Sequence, residues 1–197
     1  DIESVYYHYS SLEVSDITVY GNTVNFNVSL KDYQDKPIEN AVISILGKNS
    51  LTDSNGVAKF SLNLAPGTYK LTASFAGKDF HIETSSNFTA RILESIVLTN
   101  NLRAYNSDYT FKVRFYQSSG KVLANTKISF KINSKNYSAT TDAKGILTCS
   151  QKLAAGTYTL KFTNPATKEV ESFTFKVVPR ITGSAMTMYF GAGKYYT

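Results

Sequence analysis

Few side chains in this sequence have the type and spacing to do chemistry, and each meets a simple obstacle. The one cysteine, Cys149, shares alternation parity with Leu147, and that parity points into a core. A nucleophilic thiol needs exposure and a nearby base or helix terminus. A buried thiol behaves as a small hydrophobe, so Cys149 is expected to be buried and inert. One cysteine also excludes an intramolecular disulfide. His8 and His81 stand apart from any cysteine or carboxylate cluster and predict no zinc site. Asp53-Ser54-Asn55-Gly56 has the composition of a calcium loop, but the matching Asp142-Ala143-Lys144-Gly145 lacks the ligands, so a plain hairpin turn is the expectation for both. There is no phosphate loop, no Gly-x-Ser-x-Gly and no recognisable carboxylate pair. The reading is of a non-enzyme with no metal and no cofactor.

Charge is more informative. The formal net charge is +6, but residues 1–91 carry 7 basic and 10 acidic side chains, whereas residues 92–197 carry 14 and 5. In the second half Lys112, Arg114, Lys127, Lys131, Lys161 and Lys176 all fall on outward parities. A positive sheet face suits a polyanion such as a wall polymer or an acidic glycan. The same lysines also serve to keep wet strand faces soluble. Without interleaved exposed aromatics, specific nucleic-acid binding is not expected. Three glycosylation sequons occur, at Asn27, Asn87 and Asn136, the first two outward by parity.

The elements that carry these residues come twice. TDSNGVAKFSLNLAPGTY (residues 52–69) aligns without a gap to TDAKGILTCSQKLAAGTY (residues 141–158) at an offset of 89. Upstream, Phe26, Val28 and Leu30 align with Phe111, Val113 and Phe115 at an offset of 85. The change of offset places a four-residue insertion between LGKNSLTD and KINSKNYSATTD, where it would lengthen a hairpin and spare the core. A fixed-period repeat means a copied folding unit. Alternation such as Phe26-Asn27-Val28-Ser29-Leu30 and Ile128-Ser129-Phe130-Lys131-Ile132 predicts strands with one packed and one wet face. Glycine-bearing turns at short intervals complete the pattern of a β-sandwich of about seven strands per unit. Tyr69 and Tyr158, two residues after Gly67 and Gly156, predict tyrosine corners.

The Asp-x-x-Gly turn followed by Gly-Thr-Tyr resembles the immunoglobulin-like repeats, bacterial-Ig and CnaB-like, of large cell-surface adhesin-like proteins. The cysteine-poor, Asn-, Lys-, Thr- and Tyr-rich composition is most similar to those of methanogenic archaea. The resemblance implies extracellular stalks that hold a binding domain away from a wall. It also raises the Lys–Asn isopeptide crosslink of CnaB-type units, which needs an inward lysine and a glutamate after Gly-x-Tyr. Neither Lys70-Leu71-Thr72-Ala73-Ser74 nor Thr159-Leu160-Lys161-Phe162-Thr163 offers the carboxylate, so no crosslink is expected.

The resulting expectation is an all-β chain: an N-terminal extension (1–13), sandwich 1 (14–91), sandwich 2 (92–180), and a terminal strand segment (181–197). The last is either the opening of a third repeat or a donor strand for a like chain. No apolar run approaches the roughly 18 residues of a membrane-spanning helix. The chain opens at Asp1 with no leader and reads as a mature or excised fragment. Three functions compete. One is a semi-rigid cell-surface stalk that meets a wall polymer or another cell's surface. The others are a polyanion-binding module and a filament subunit using donor-strand exchange.

Overall fold

The computed structural model describes residues 6–100, 104–105, 108–178, 188–190 and 194–196. Both units are sandwiches built the same way, antiparallel except for one edge pairing in each. In unit 1, β1 (Ser10–Glu13), β3 (Thr23–Asp32) and β6 (Val57–Asn63) form one sheet in the order β1-β3-β6. The facing sheet runs β2-β8-β7-β4-β5, from β2 (Ile17–Tyr20), β8 (Thr84–Leu93), β7 (Gly67–Phe75), β4 (Val42–Ile45) and β5 (Lys48–Leu51). Unit 2 repeats it. The strands β9 (Ile96–Leu98), β11 (Asp108–Phe115) and β14 (Ile146–Lys152) make the order β14-β11-β9. Opposite them lie β10 (Ala104–Tyr105), β16 (Val170–Val178), β15 (Gly156–Thr163), β12 (Lys127–Ile132) and β13 (Lys135–Thr140) in the order β10-β16-β15-β12-β13. This is the immunoglobulin-like arrangement, with the second and fifth long strands on one sheet and the last two on the other.

The opening of each unit is divided between the sheets. β1 pairs antiparallel with β3, then the chain crosses and β2 pairs parallel with β8. β9 and β10 do the same with β11 and β16. Residues 10–13, read from sequence as part of an extension, are therefore the first strand of sandwich 1, and Leu12 is buried in its core. Ile92 belongs to the first core and Ile96 to the second. The cores change over within Leu93–Ser95, slightly beyond the 91/92 division. At the other end, β17 (Met188–Phe190) pairs with β18 (Lys194–Tyr196), so the described part of 181–197 is a hairpin and not a lone strand. The remainder of that segment lies outside the described residues.

The repeat's turn chemistry works as its residue types require. Asp53 Oδ1 accepts from the N–H groups of Asn55 (2.9 Å) and Val57 (3.0 Å), and Asp142 Oδ1 from those of Lys144 (2.8 Å) and Ile146 (2.9 Å). Gly56 and Gly145 both sit at φ 72°, and a Cβ on Gly145 would lie 2.9 Å from the Phe115 carbonyl oxygen. Only glycine fits. The preceding threonines are buried and tie together the two connections that cross between the sheets. Thr52 Oγ1 donates to Ile38 O at 2.6 Å and accepts from Ala41 N–H; Thr141 Oγ1 donates to Leu123 O at 2.6 Å and accepts from Thr126 N–H. Both tyrosine corners form, Tyr69 OH to Ala65 O at 2.9 Å and Tyr158 OH to Ala154 O at 3.0 Å. The four inserted residues lengthen the β12–β13 hairpin to six residues per strand, against four in β4 and β5.

The backbone N–H groups of Val57 and Asn55 hold the Asp53 carboxyl below the usual carboxylate range. The N–H of Ile146 does so for Asp142, over a smaller opposing effect of desolvation. A carboxylate lowered by folding stabilises the fold at pH above its unfolded value, and that contribution is lost as pH falls through the folded value. The denaturation midpoint is therefore expected to fall as pH drops below about 4. Asp53→Asn/Asp142→Asn, which keeps an acceptor oxygen but cannot ionise, should show a shallower fall in urea titrations at graded pH. An equally steep fall would mean that the turn carboxylates do not contribute.

Candidate functional site

The strongest constellation in the chain lies between the units. β8 ends at Leu93 and β9 begins at Ile96, so two residues, Glu94 and Ser95, connect them. Ser95 is fully buried. Its N–H donates to Glu169 Oε2 at 2.7 Å, and its hydroxyl makes a short hydrogen bond to the same oxygen. With its proton committed there, Ser95 Oγ accepts from Thr167 Oγ1 (2.7 Å) and Asn164 Nδ2 (3.0 Å). Asn164 Nδ2 also reaches the carbonyls of Tyr116 (2.8 Å) and Ser95 (3.2 Å). Glu169 is 3 % exposed, and both Ser95 donors serve its Oε2; among the described residues no lysine or arginine pairs with it. A buried polar network of this kind is costly when incomplete and specifies one geometry when complete.

On this head of unit 2 sits the β2–β3 tip of unit 1. Tyr20 N–H donates to Ser118 O at 3.1 Å. The Tyr20 ring lies 4.8 Å, centroid to centroid, from Tyr116. A Cβ on Gly120 would lie 2.9 Å from Tyr20 Cε2. Gly21, at φ 88°, is pressed so closely on the second unit that a Cβ would lie 2.6 Å from Thr167 Cβ. Gly21 N–H also bonds Leu93 O at 2.8 Å, which ties the tip to the connecting segment.

The six basic residues expected to share a face are divided between the two sheets. Lys112 and Arg114 lie on β11, in the three-stranded sheet, with Arg114 only partly exposed. Lys127 and Lys131 on β12, Lys161 on β15 and Lys176 on β16 lie on the five-stranded sheet. Alternation reports inside or outside, not which outside, so the single six-residue face is corrected to two. The denser cluster has Lys131 directly opposite Lys161, with Lys127 two positions along the same face. Together with Ser129, Asn136, Ser138 and Thr163 they line a shallow depression. Among the described residues the ion pair is Lys78–Asp79, so no described carboxylate lies within ion-pair distance of this cluster. Lys176 stands further along β16, opposite Thr157.

Other candidates resolve simply. Asn27, Asn87 and Asn136 are all exposed on strands, and Asn87 Oδ1 accepts from the Thr72 hydroxyl at 2.7 Å. Cys149 is buried opposite Phe111, and desolvation raises its thiol pKa, which disfavours the thiolate. His8 and His81, isolated in sequence, meet in the fold with ring centroids 5.9 Å apart. Among the described residues no group of three His, Cys, Asp or Glu side chains is placed to hold a metal.

No protein-family model and no curated protein matches the chain. Among solved structures it is similar to the adhesin InvE of Yersinia pseudotuberculosis, at 17% identity over 86% of this chain and 58% of that one, TM-score 0.32. It is similar also to the fibronectin(III)-like modules of Clostridium thermocellum CbhA, at 12% identity over 91% and 100%, TM-score 0.32. Surface layer protein SbsC, domains 4–9, is 12% identical over 91% and 32%, TM-score 0.33. The strand order of the chain itself, rather than these likenesses, carries the fold assignment.

Removing Glu169 should leave Ser95 with an unmet buried N–H and hydroxyl. Glu169→Ala is expected to destabilise unit 2 by about 1–3 kcal/mol. In a double-mutant cycle with Ser95→Ala the two losses should be strongly non-additive. Additive losses in urea denaturation would show that the two residues do not act as one network.

Proposed function

We propose that this chain is a non-enzymatic, semi-rigid segment of a repetitive extracellular cell-surface protein, a stalk or spacer that sets the distance and direction of an adhesive domain. The observation that carries this reading is the junction. A two-residue link, a docked tip and a buried network under the link leave the units little freedom to swing. A flexible tether would use a longer, Gly/Ser-rich connection. The cell-surface placement rests on the resemblance drawn from the sequence.

Gly21 gives the test. Gly21→Ala adds a Cβ at positive φ against Thr167, outside both cores. Small-angle scattering of the wild-type chain should fit one relative orientation of the units. The variant should broaden the distribution while near-unchanged circular dichroism shows both sandwiches intact. A wild-type chain that already scatters as two freely jointed bodies would end the stalk reading.

A second reading has its own observation. Like charges directly opposite on a sheet are destabilising, yet Lys131 faces Lys161 with no carboxylate partner. In the sister unit the aligned residues are Leu46, in the β4–β5 turn at φ 49°, and Thr72, so that unit folds without a lysine pair here. An anionic wall polymer or acidic glycan across β12 and β15 would relieve the repulsion. Retention on immobilised polyglutamate should weaken with salt and drop in Lys131→Glu/Lys161→Glu. Lys112→Glu/Arg114→Glu, on the opposite sheet, should matter much less. Equal losses from the two pairs would reduce the effect to net charge.

A further inference from the structure

The longer β12–β13 hairpin of unit 2 adds two rungs, and one of them touches the lysine pair. β4 and β5 meet from Val42↔Leu51 to Ile45↔Lys48 and turn at Leu46-Gly47. β12 and β13 continue past the equivalent point with Lys131↔Asn136 and Ile132↔Lys135. The lysine thus arrives together with an asparagine directly across from it. On its other side Lys131 faces Lys161. Asn136, Lys131 and Lys161 are successive members of one row, on strands about 4.8 Å apart. All three are exposed.

Asn136-Tyr137-Ser138 is one of the three sequons, and the fold separates it from the other two. Asn27 lies on β3, the middle strand of its sheet. Asn87 lies on β8, inside the five-stranded sheet, and its amide oxygen accepts from Thr72. Asn136 lies on β13, the edge strand of its sheet. An edge leaves one side of the backbone unpaired, so an enzyme can engage the strand in its extended form. Asn136 and Ser138 project to the same wet side, two positions apart. Tyr137 between them is half-buried and anchors the strand. Its ring stacks on Phe130 at 5.6 Å and 16°, and the Lys135 ammonium stands 5.5 Å from its centre. The surface beside Asn136 is low and polar, with Ser129, Ser138 and Thr163 in the same depression as the lysines. Hydroxyls and ammonium groups there offer hydrogen bonds to a sugar.

We propose that Asn136 is a site of N-glycosylation and that its glycan covers Lys131 and Lys161, so that the modified chain no longer holds an external polyanion there. In the modification an N-glycosidic bond forms between Asn136 Nδ2 and the anomeric carbon of a glycan carried on a lipid phosphate. The anomeric C–O bond breaks, the lipid phosphate leaves with its electron pair, and the amide nitrogen gives up one proton to solvent. The first sugar ring then stands one strand from Lys131 and two from Lys161. It fills the depression that a polymer would have to enter, so modification and capture exclude each other. One face thereby serves as a capture surface before modification and as a shielded side of the stalk after it. The inference rests on the extracellular placement proposed above, which supplies the transferase. From the polyanion reading it takes only the ligand that is excluded.

The test is to incubate the folded chain with an oligosaccharyltransferase that accepts Asn-x-Ser/Thr, together with its lipid-linked glycan, and to map the products by peptide mass. Asn136 is expected to gain the glycan, with Asn27 and Asn87 far less occupied. Acetylation of Lys131 and Lys161 should then slow several-fold in the modified fraction, while Lys112, on the opposite sheet, reacts as before. The modified fraction should also lose retention on immobilised polyglutamate. No transfer to Asn136, under conditions that modify a short peptide of the same sequon, overturns the proposal. So does labelling of Lys131 and Lys161 at one rate in both fractions, or retention that the glycan leaves intact. A chain that takes the glycan on Asn136 and shields both lysines, but whose unmodified form is never retained, ends the polyanion reading and leaves the modification site standing.

Discussion

The parallel pairing of Ile17–Tyr20 with Ala90–Leu93 is the contact on which the architecture depends. It closes the five-stranded sheet of unit 1 with the segment that follows the first strand. It also carries the tip at Tyr20–Gly21 to the very end of the last strand. Because Gly21 N–H then bonds Leu93 O, the tip lies beside the two-residue link by construction. Whatever begins at Ile96 must begin in contact with Tyr20. A longer β8 or a shorter β2 would separate tip from link and leave the second unit free to turn. The rigid junction is thus a consequence of strand pairing inside unit 1, and Ser95, Asn164 and Glu169 complete it from the other side.

The two cores reach the same end with different side chains. Phe60 in unit 1 is replaced by the smaller Cys149, and Ala73 in unit 1 by the larger Phe162. Phe111, opposite Cys149, turns fully inward and meets Phe130 and Phe162 edge-on at 5.8 and 5.9 Å. Phe26 in unit 1 remains partly exposed against Phe60 and Phe88. Cores tolerate such exchanges when total volume and pattern are kept. Copies that preserve their interiors by compensation have diverged freely on their wet faces. There unit 1 carries exposed Val42 where unit 2 carries Lys127.

The physical reach of each sequence signal decides what was legible in it. Alternation along Phe26–Leu30 and Ile128–Ile132 is a local property, and the strands it predicts are present. The glycine and tyrosine turns were legible because positive φ and the Tyr-to-carbonyl bond are set within five residues. The strand Ser10–Glu13 was not, because four residues with one buried side chain carry no period. His8 and His81 meet across 73 positions of sequence, beyond any spacing rule. The buried Glu169 was hidden by a second change of register. Thr163↔Val170 encloses six residues where the equivalent Ser74↔Ser85 encloses ten, so the offset returns from 89 to 85 within that hairpin. The signal that would have found it is that return, visible in how Phe173-Thr174-Phe175 falls opposite Phe88-Thr89-Ala90.

That hairpin shows how one fold serves two positions in an array. The β7–β8 connection of unit 1 is long, reaches back to His8, and raises Phe80 and His81 to the surface. The β15–β16 connection of unit 2 is shorter by four residues and lies low, where Asn164 and Glu169 enter the link and Thr167 meets Gly21. Had unit 2 kept the long form, its tip would occupy the space of Tyr20 and the units could not dock. Had unit 1 the short form, its first segment would lose the two backbone hydrogen bonds that hold residues 6–9. A sandwich has two ends and two outer faces, and its strand pairing constrains none of them strongly. Differences in connection length at one end are therefore sufficient to make one unit a receiver of its neighbour and the other a presenter of aromatic surface, with the strand order unchanged.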